Sequence, residues 1–189
     1  MTAVRAGLDA RRDGRSGSPS DELHRLLDDG EALDAPMTWI SEAASNAKLW
    51  VAIAAVLALV GGRRGRRAAV RGMTALVTTS VVANLVVKPV VRRHRPTRPA
   101  GADHGHVRMP ASSSFPSGHT ASAFSFAAAV SADLPELSLP LDALAAAVGY
   151  SRVHLGVHYP GDVIGGAVLG LAIGTAVRAG SVALGLPAR

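Results

Sequence analysis

The sequence predicts an all-α fold: an integral-membrane helical bundle of about five transmembrane helices, preceded by an N-terminal amphipathic helix. Three observations predict it. Apolar stretches recur at about 37–61, 68–87, 116–132, 141–153 and 160–182, separated by Pro-, Gly- and Arg-rich punctuation. The apolar mass is Ala, Val and Leu with 20 Gly; 48% of the chain is hydrophobic but only 4% aromatic, which suits helices packed closely in lipid. The arginines cluster between the apolar stretches, as in membrane-protein loops. Mean hydropathy is only +0.24 because a polar tail and polar loops dilute the rest.

Taken in order, residues 1–20 are rich in Arg, Asp, Gly and Ser and are expected to be a disordered tail. Ser20-Asp-Glu-Leu resembles a helix cap, and Leu23, Leu26, Leu27 and Leu33 give an amphipathic helix over 21–36. It either lies on the membrane interface or packs on the bundle. Residues 37–185 form the expected transmembrane domain. Its first span, Met37 to Gly61, has a strong part, Leu49–Val60, of 12 apolar residues. Glu42, Asn46 and Lys48 must then face protein or headgroups, because about 20 apolar residues are needed to cross. Gly61–Arg67 reads as a short basic loop, and the second span, 68–87, delivers Lys88. The 89–115 segment carries too much Pro, Arg and His to contact lipid. A third helix starts at Pro116 or Ser117, a fourth covers about 141–153, and a fifth starts at Pro160. The fifth carries Gly166, Gly170 and Gly174 at four-residue spacing, a ridge for close intramolecular packing.

Composition narrows the function classes. There is no Cys, so thiol and disulfide chemistry are excluded. The net charge of +6 is not laid out with interleaved aromatics, so no nucleic-acid partner is expected. Met1–Pro36 has no apolar run of the kind a secretory signal requires.

The chemistry-bearing residues sit at the ends of the apolar stretches. Asp162 falls in the first turn of the fifth helix and His158 just before it, so a carboxylate can fix the tautomer of an imidazole and free its other nitrogen for attack. Pro116-Ser117-Gly118-His119 opens the third helix, where backbone N–H groups favour an anion and a protonated His119 can donate to a leaving oxygen. Lys88, Arg95 and Arg152 supply positive charge of the sort that phosphoryl transfer needs. Each has a plainer reading: Lys88 and Arg95 as interfacial anchors, Asp162 as a helix cap. His154 and His158 stand four apart, a possible metal pair, but no Cys or adjacent Glu completes a ligand set, so no metal is expected. His104, His106, Arg98 and Arg108 suit a loop that covers a headgroup.

Joined in order, Lys88-x6-Arg95-Pro96, Pro116-Ser117-Gly118-His119 and Ser151-Arg152-x5-His158-x3-Asp162 resemble the three-part signature of the type 2 phosphatidic acid phosphatase superfamily, with each motif residue present over about 38–180. The resemblance implies a metal- and cofactor-free membrane lipid phosphatase working through phosphohistidine. It implies His158 as nucleophile, Asp162 as its orienting carboxylate, and His119 as general acid and then base. Lys88, Arg95, Arg152, Ser117 and Gly118 would bind the phosphoryl oxygens. Vanadate-dependent haloperoxidases share the signature but are larger and mainly soluble. A membrane scaffold would be expected to have lost a motif residue.

The expected partner is a phosphorylated lipid. The compact form resembles small bacterial members, and the Ala-, Val- and Arg-rich composition fits a GC-rich genome. A small member of this family in such bacteria acts on decaprenylphosphoryl-5-phosphoribose, so the resemblance implies that substrate first; isoprenoid diphosphates, phosphatidate and phosphatidylglycerol phosphate are the alternatives. The expected location is the cell membrane. Arg63, Arg64, Arg66, Arg67 and Arg71 oppose the catalytic face, whose tail and loop are also basic. A signal-less tail and a cytoplasmic source of lipid-linked phosphosugars favour a cytoplasmic active site.

Overall fold

The structure is a computed structural model that describes residues 33–96 and 111–183. The chain divides into residues 1–35 and 36–189, and the fold below is that of the second unit. The tail expected at 1–20, nearly all of the helix expected at 21–36, and the loop histidines His104 and His106 lie outside the described residues.

The described residues are helical, and the five expected helical segments occur in order. The first is bent. Helix α1 (Leu33–Ala43) meets the next segment, Ser45–Val60, at 62°. The break is built by Asn46 and Ala47, both in the left-handed region at φ 53° and 60°. Such a conformation is tolerated by Asn and strained for Ala. Helix α2 (Lys48–Val60) follows.

Of residues 61–67, expected to be a loop, all but Gly61 are helix. The chain reverses at Gly61 and Gly62, the latter at φ 57°, and α3 runs unbroken as Gly62–Val91. Glycine makes this possible by close approach: a Cβ on Gly65 would stand 2.1 Å from the Leu57 carbonyl oxygen. The arginines of this stretch are therefore the first turns of α3. Two arginines turn inward, Arg67 of this stretch and Arg71 one turn further on. Arg67 and Arg71 hold the buried Asp133 carboxylate at 2.5 and 2.9 Å, and Arg64 donates to its carbonyl at 2.7 Å. Removing one partner of so buried a cluster costs about 3–5 kcal/mol. Near its end α3 widens into a π-helical turn, Val82–Val87, directly before Lys88.

Helix α4 (Gly118–Val130) is the hub; its most extensive contacts are with α6 and α3. It is only 13 residues long, and small residues such as Ala121, Ala123 and Ala127 are buried around it. A helix apolar all round belongs inside. Phe126 on α4 packs its ring 5.2 Å from Trp50 of α2. Helix α5 (Ser138–His154) and helix α6 (Pro160–Ala183) complete the bundle. The glycine ridge of α6 lies on α4: a Cβ at Gly166, Gly170 or Gly174 would come within 2.6, 2.3 or 2.7 Å of the Ser117, Ala121 or Ser125 carbonyl.

Large aliphatic side chains stay exposed along the outer helices, among them Leu59, Val60, Val70, Leu85, Val90 and Val168. Exposed apolar surface on that scale marks contact with lipid. Among the described residues α3 and Pro160–Gly180 of α6 are each long and apolar enough to cross a membrane, and the bent Leu33–Val60 pair adds a third if it counts as one span. At 13 and 17 residues, α4 and α5 fall short of the roughly 20 that a bilayer core requires.

Candidate active site

The three signature stretches meet where α3 ends, α4 begins, α5 ends and α6 begins. Local structure aims each one. Ser117 caps α4, its hydroxyl accepting from the Thr120 amide and from the Thr120 hydroxyl at 2.9 Å. The Ser117 amide donates to the Asp162 carbonyl at 2.9 Å, which ties the start of α4 to the start of α6. Helix α5 stops because Gly156 turns left-handed at φ 62°. The returning amides of Val157 and His158 then both donate to the Arg152 carbonyl at 3.1 Å, so nucleophile candidate and cation are held by one backbone turn. Leu155 and Val157, fully buried, anchor that turn.

A cavity of about 350 Å³ opens here. Lys88, Arg95, Gly118, His119, Arg152 and His158 line it, six of the eight residues expected from sequence. Ser117 and Asp162, both fully buried, lie behind the lining. The Ser117 hydroxyl accepts from Thr120 as it caps the helix that presents Gly118 and His119, and accepting leaves its own proton available to donate.

His158 is the best-defined member. Arg95 Nη1 stands 3.2 Å from its Nε2. A guanidinium can only donate, so Nε2 carries the lone pair and the ring proton sits on Nδ1. Nδ1 points towards Asp162 Oδ2 at 3.6 Å, longer than a hydrogen bond. Burial first, and then the Arg95, Arg152 and Lys88 charges, push the His158 imidazole down to about 3, with the Ser114 backbone pulling the other way. The ring is thus neutral and its lone pair faces the cavity cations.

Several contributors were not legible as site residues. Arg93 grips Asp162 Oδ1 at 2.9 Å and lies 4.5 Å over the Tyr159 ring, while Asp162 Oδ2 accepts from the Tyr159 amide at 2.9 Å. Asp162 is therefore fixed mainly by Arg93 and by its own helix start. Asn84, on the π-helical turn, accepts from Lys88 Nζ at 2.8 Å. Ser41 accepts from Arg152, and Ser45 Oγ donates to the Ser41 carbonyl at 2.8 Å while standing 3.3 Å from His119 Nε2. Asn46, Ala47 and Trp50 complete the wall, so the bend after α1 is part of the site. Polar residues inside apolar stretches were the available signal, as with Asn84 four residues before Lys88. His154 does not line the cavity; its ring lies 5.8 Å from that of Tyr150. No group of three potential ligands for a metal occurs among the described residues.

Apolar helices with lipid-facing aliphatics and a pocket of imidazoles and cations at the helix ends define a membrane lipid phosphatase. The chain belongs to the PAP2 superfamily, whose family profile matches residues 69–184. It is 38% identical over 132 residues to decaprenylphosphoryl-5-phosphoribose phosphatase of Mycobacterium tuberculosis, covering 68% of this chain and 69% of that one. It is 30% identical over 158 residues to undecaprenyl-diphosphatase BcrC of Bacillus subtilis, covering 80% and 77%. A transmembrane PAP2 type phosphatidylglycerolphosphate phosphatase from Bacillus subtilis has a similar structure, with a TM-score of 0.62, 26% identity, and coverage of 85% and 88%.

Proposed function

We propose that this enzyme removes the terminal phosphate of a polyprenyl-linked phosphosugar, decaprenylphosphoryl-5-phosphoribose, through a phosphohistidine on His158. One observation carries the mechanism: a neutral His158 with its Nε2 lone pair turned to Arg95, inside a cavity that Lys88, Arg152, His119 and Gly118 also line. The substrate assignment draws on the mycobacterial relatives, 38% and 40% identical.

In the first step His158 Nε2 attacks phosphorus and the phosphorus–oxygen bond to the sugar breaks. His119, protonated as the anionic phosphate docks among the cations beside it, gives that proton to the departing oxygen. Lys88, Arg95, Arg152 and the Gly118 N–H offset charge on the phosphoryl oxygens, where most of the catalysis in such transfers lies. Ser117 caps that helix and assists in holding the phosphoryl oxygens. Asp162, held by Arg93, stabilises the charge that His158 gains. In the second step His119 takes a proton from water, which attacks the phosphohistidine and releases inorganic phosphate and neutral His158. No step needs a metal or cofactor.

The catalytic unit is residues 37–185, crossing the membrane several times, with 1–20 and 21–36 as a tail and an interfacial helix. The active site faces the cytoplasm. The bonding of Arg67 and Arg71 to the buried Asp133 carboxylate supports this, since it takes two of the five arginines at the start of α3 out of the count of cytoplasmic anchors.

The test is phosphate release by the purified protein from a panel of lipids, with acid-labile phosphate trapped on the protein. Decaprenylphosphoryl-5-phosphoribose is expected to be the best substrate, and His158→Asn to lose turnover and trapped phosphate while keeping its melting temperature. Trapped phosphate on a folded His158→Asn protein would sink the mechanism. Preference for an isoprenoid diphosphate would favour the second reading, for which the longer match to BcrC stands.

A further inference from the structure

Beside the catalytic cavity lies a second, open cavity of about 660 Å³. The two share a wall, because Asn84, Lys88, Arg95 and Ser112 line both. The far side of the second is made by Arg92, Arg93 and His94. None of its described lining residues is Asp or Glu.

The charges of the two cavities do not balance around one phosphate. Lys88, Arg92, Arg93, Arg95 and Arg152 line them. Asp162 is the carboxylate that answers this group among the described residues, and it is bonded to Arg93. A phosphomonoester brings at most about two negative charges. Lys88, Arg95 and Arg152 surround its place, so the surplus falls on the side of Arg92 and His94. Among the described residues no acidic group takes up Arg92: its Nε donates to the Pro89 carbonyl at 2.9 Å. Its backbone is left-handed at φ 45°, a strained conformation for arginine that places the side chain where α3 ends.

We infer that the second cavity is an anion subsite for a second phosphate on the same lipid. The substrate class would be a lipid carrying two phosphates, one cleaved at His158 and one retained as a diester or as the inner phosphate of a diphosphate. Lys88 and Arg95, standing between the cavities, touch both groups. The inference rests on the catalytic reading above for the place of the cleaved phosphate. It adds a means of recognition that the signature residues alone do not provide. A guanidinium that contacts only one of two phosphates discriminates between substrates rather than accelerating the chemistry.

The experiment uses the full chain in phosphatidylcholine nanodiscs. Phosphatidate serves as the one-phosphate lipid and farnesyl diphosphate as the two-phosphate lipid, with wild type, Arg92→Gln and His94→Gln compared. The ratio of kcat/KM for the two-phosphate lipid to that for the one-phosphate lipid is expected to fall at least tenfold in Arg92→Gln, chiefly through KM, and by less in His94→Gln. A readout independent of turnover is the rise in melting temperature with methylenediphosphonate against methylphosphonate. Wild type should be stabilised more by the former, and Arg92→Gln should lose that excess. An unchanged ratio together with an unchanged ligand difference would overturn the subsite. So would an Arg92 effect that appears only when phosphatidylglycerol is added to the discs, since the side chain would then serve bilayer headgroups. Absence of turnover in wild type with the ligand difference intact would instead count against the catalytic reading alone.

Discussion

Gly170→Ala tests whether the site depends on the close approach of α4 and α6. A Cβ at Gly170 would lie 2.3 Å from the Ala121 carbonyl oxygen and 3.0 Å from the Ser125 amide nitrogen, both backbone atoms that cannot swing aside. The first distance is about 1 Å short of comfortable contact, so the helices must part by roughly that much. Overpacking of this kind costs about 1–3 kcal/mol, offset by up to about 1 kcal/mol from the better helix propensity of Ala. A net loss of about 1–2 kcal/mol lowers the melting temperature of a protein this size by roughly 3–8 °C. The effect on activity should be larger. Helix α4 carries Gly118 and His119, α6 carries Asp162, and the Ser117–Asp162 backbone bond joins them. A displacement of about 1 Å between groups that must act together can cost on the order of a hundredfold in rate. The assay is thermal unfolding in detergent alongside phosphate release. Gly180→Ala is the control, because a Cβ there meets nothing within 4 Å. If Gly170→Ala melts and turns over like wild type, the packing argument is wrong.

Arg93→Gln leaves the buried Asp162 carboxylate without its cation; because the Arg93 side chain is 44% exposed, solvent screening limits the stability loss to about 1–2 kcal/mol, with kcat falling about tenfold or more and Arg93→Lys recovering part of it in steady-state assays. Activity should survive EDTA within about twofold and be inhibited by vanadate, a five-coordinate phosphorus mimic; loss to EDTA that magnesium or zinc restores would contradict the metal-free mechanism. His158, whose folded pKa is depressed to about 3, binds its proton more readily when unfolded. Its contribution to stability is therefore full above about pH 6.5 and is lost as pH falls from there towards about 3, at up to about 1.4 kcal/mol per pH unit. His158→Asn should show a shallower loss of melting temperature than wild type between pH 6.5 and 5, and equal slopes would refute the neutral, buried imidazole.

The order of the helices was legible because apolar stretches alternate with Pro, Gly and Arg, and each signature residue was placed at a helix end by that pattern alone. One local reading changed for a physical reason. The Gly61–Arg67 run looked like a loop because arginines are costly in lipid; it is helix from Gly62, with its exposed arginines outside the bundle and Arg67 bonded to Asp133, some 66 residues away. The sequence placed Ser117 at the start of α4, and the structure adds that its oxygen caps that helix by accepting from the amide and hydroxyl of Thr120.

By itself the sequence determined the helical class, the membrane habit, the family signature and six of the residues that line the catalytic cavity, because these depend on composition, on period and on spacing along the chain. Tertiary structure decided what no spacing encodes. It set Arg93 against Asp162, Asn84 against Lys88, and Ser41 and Ser45 against Arg152 and His119. It also turned the proton of His158 away from Arg95 and opened a second basic cavity beside the first. Apart from Asn84 and Lys88, which one helix turn brings together, these pairings join residues from different elements. They exist because α4, packed on α3, α5 and α6, draws four helix ends together, and because the bend after α1 brings Ser41 and Ser45 to them.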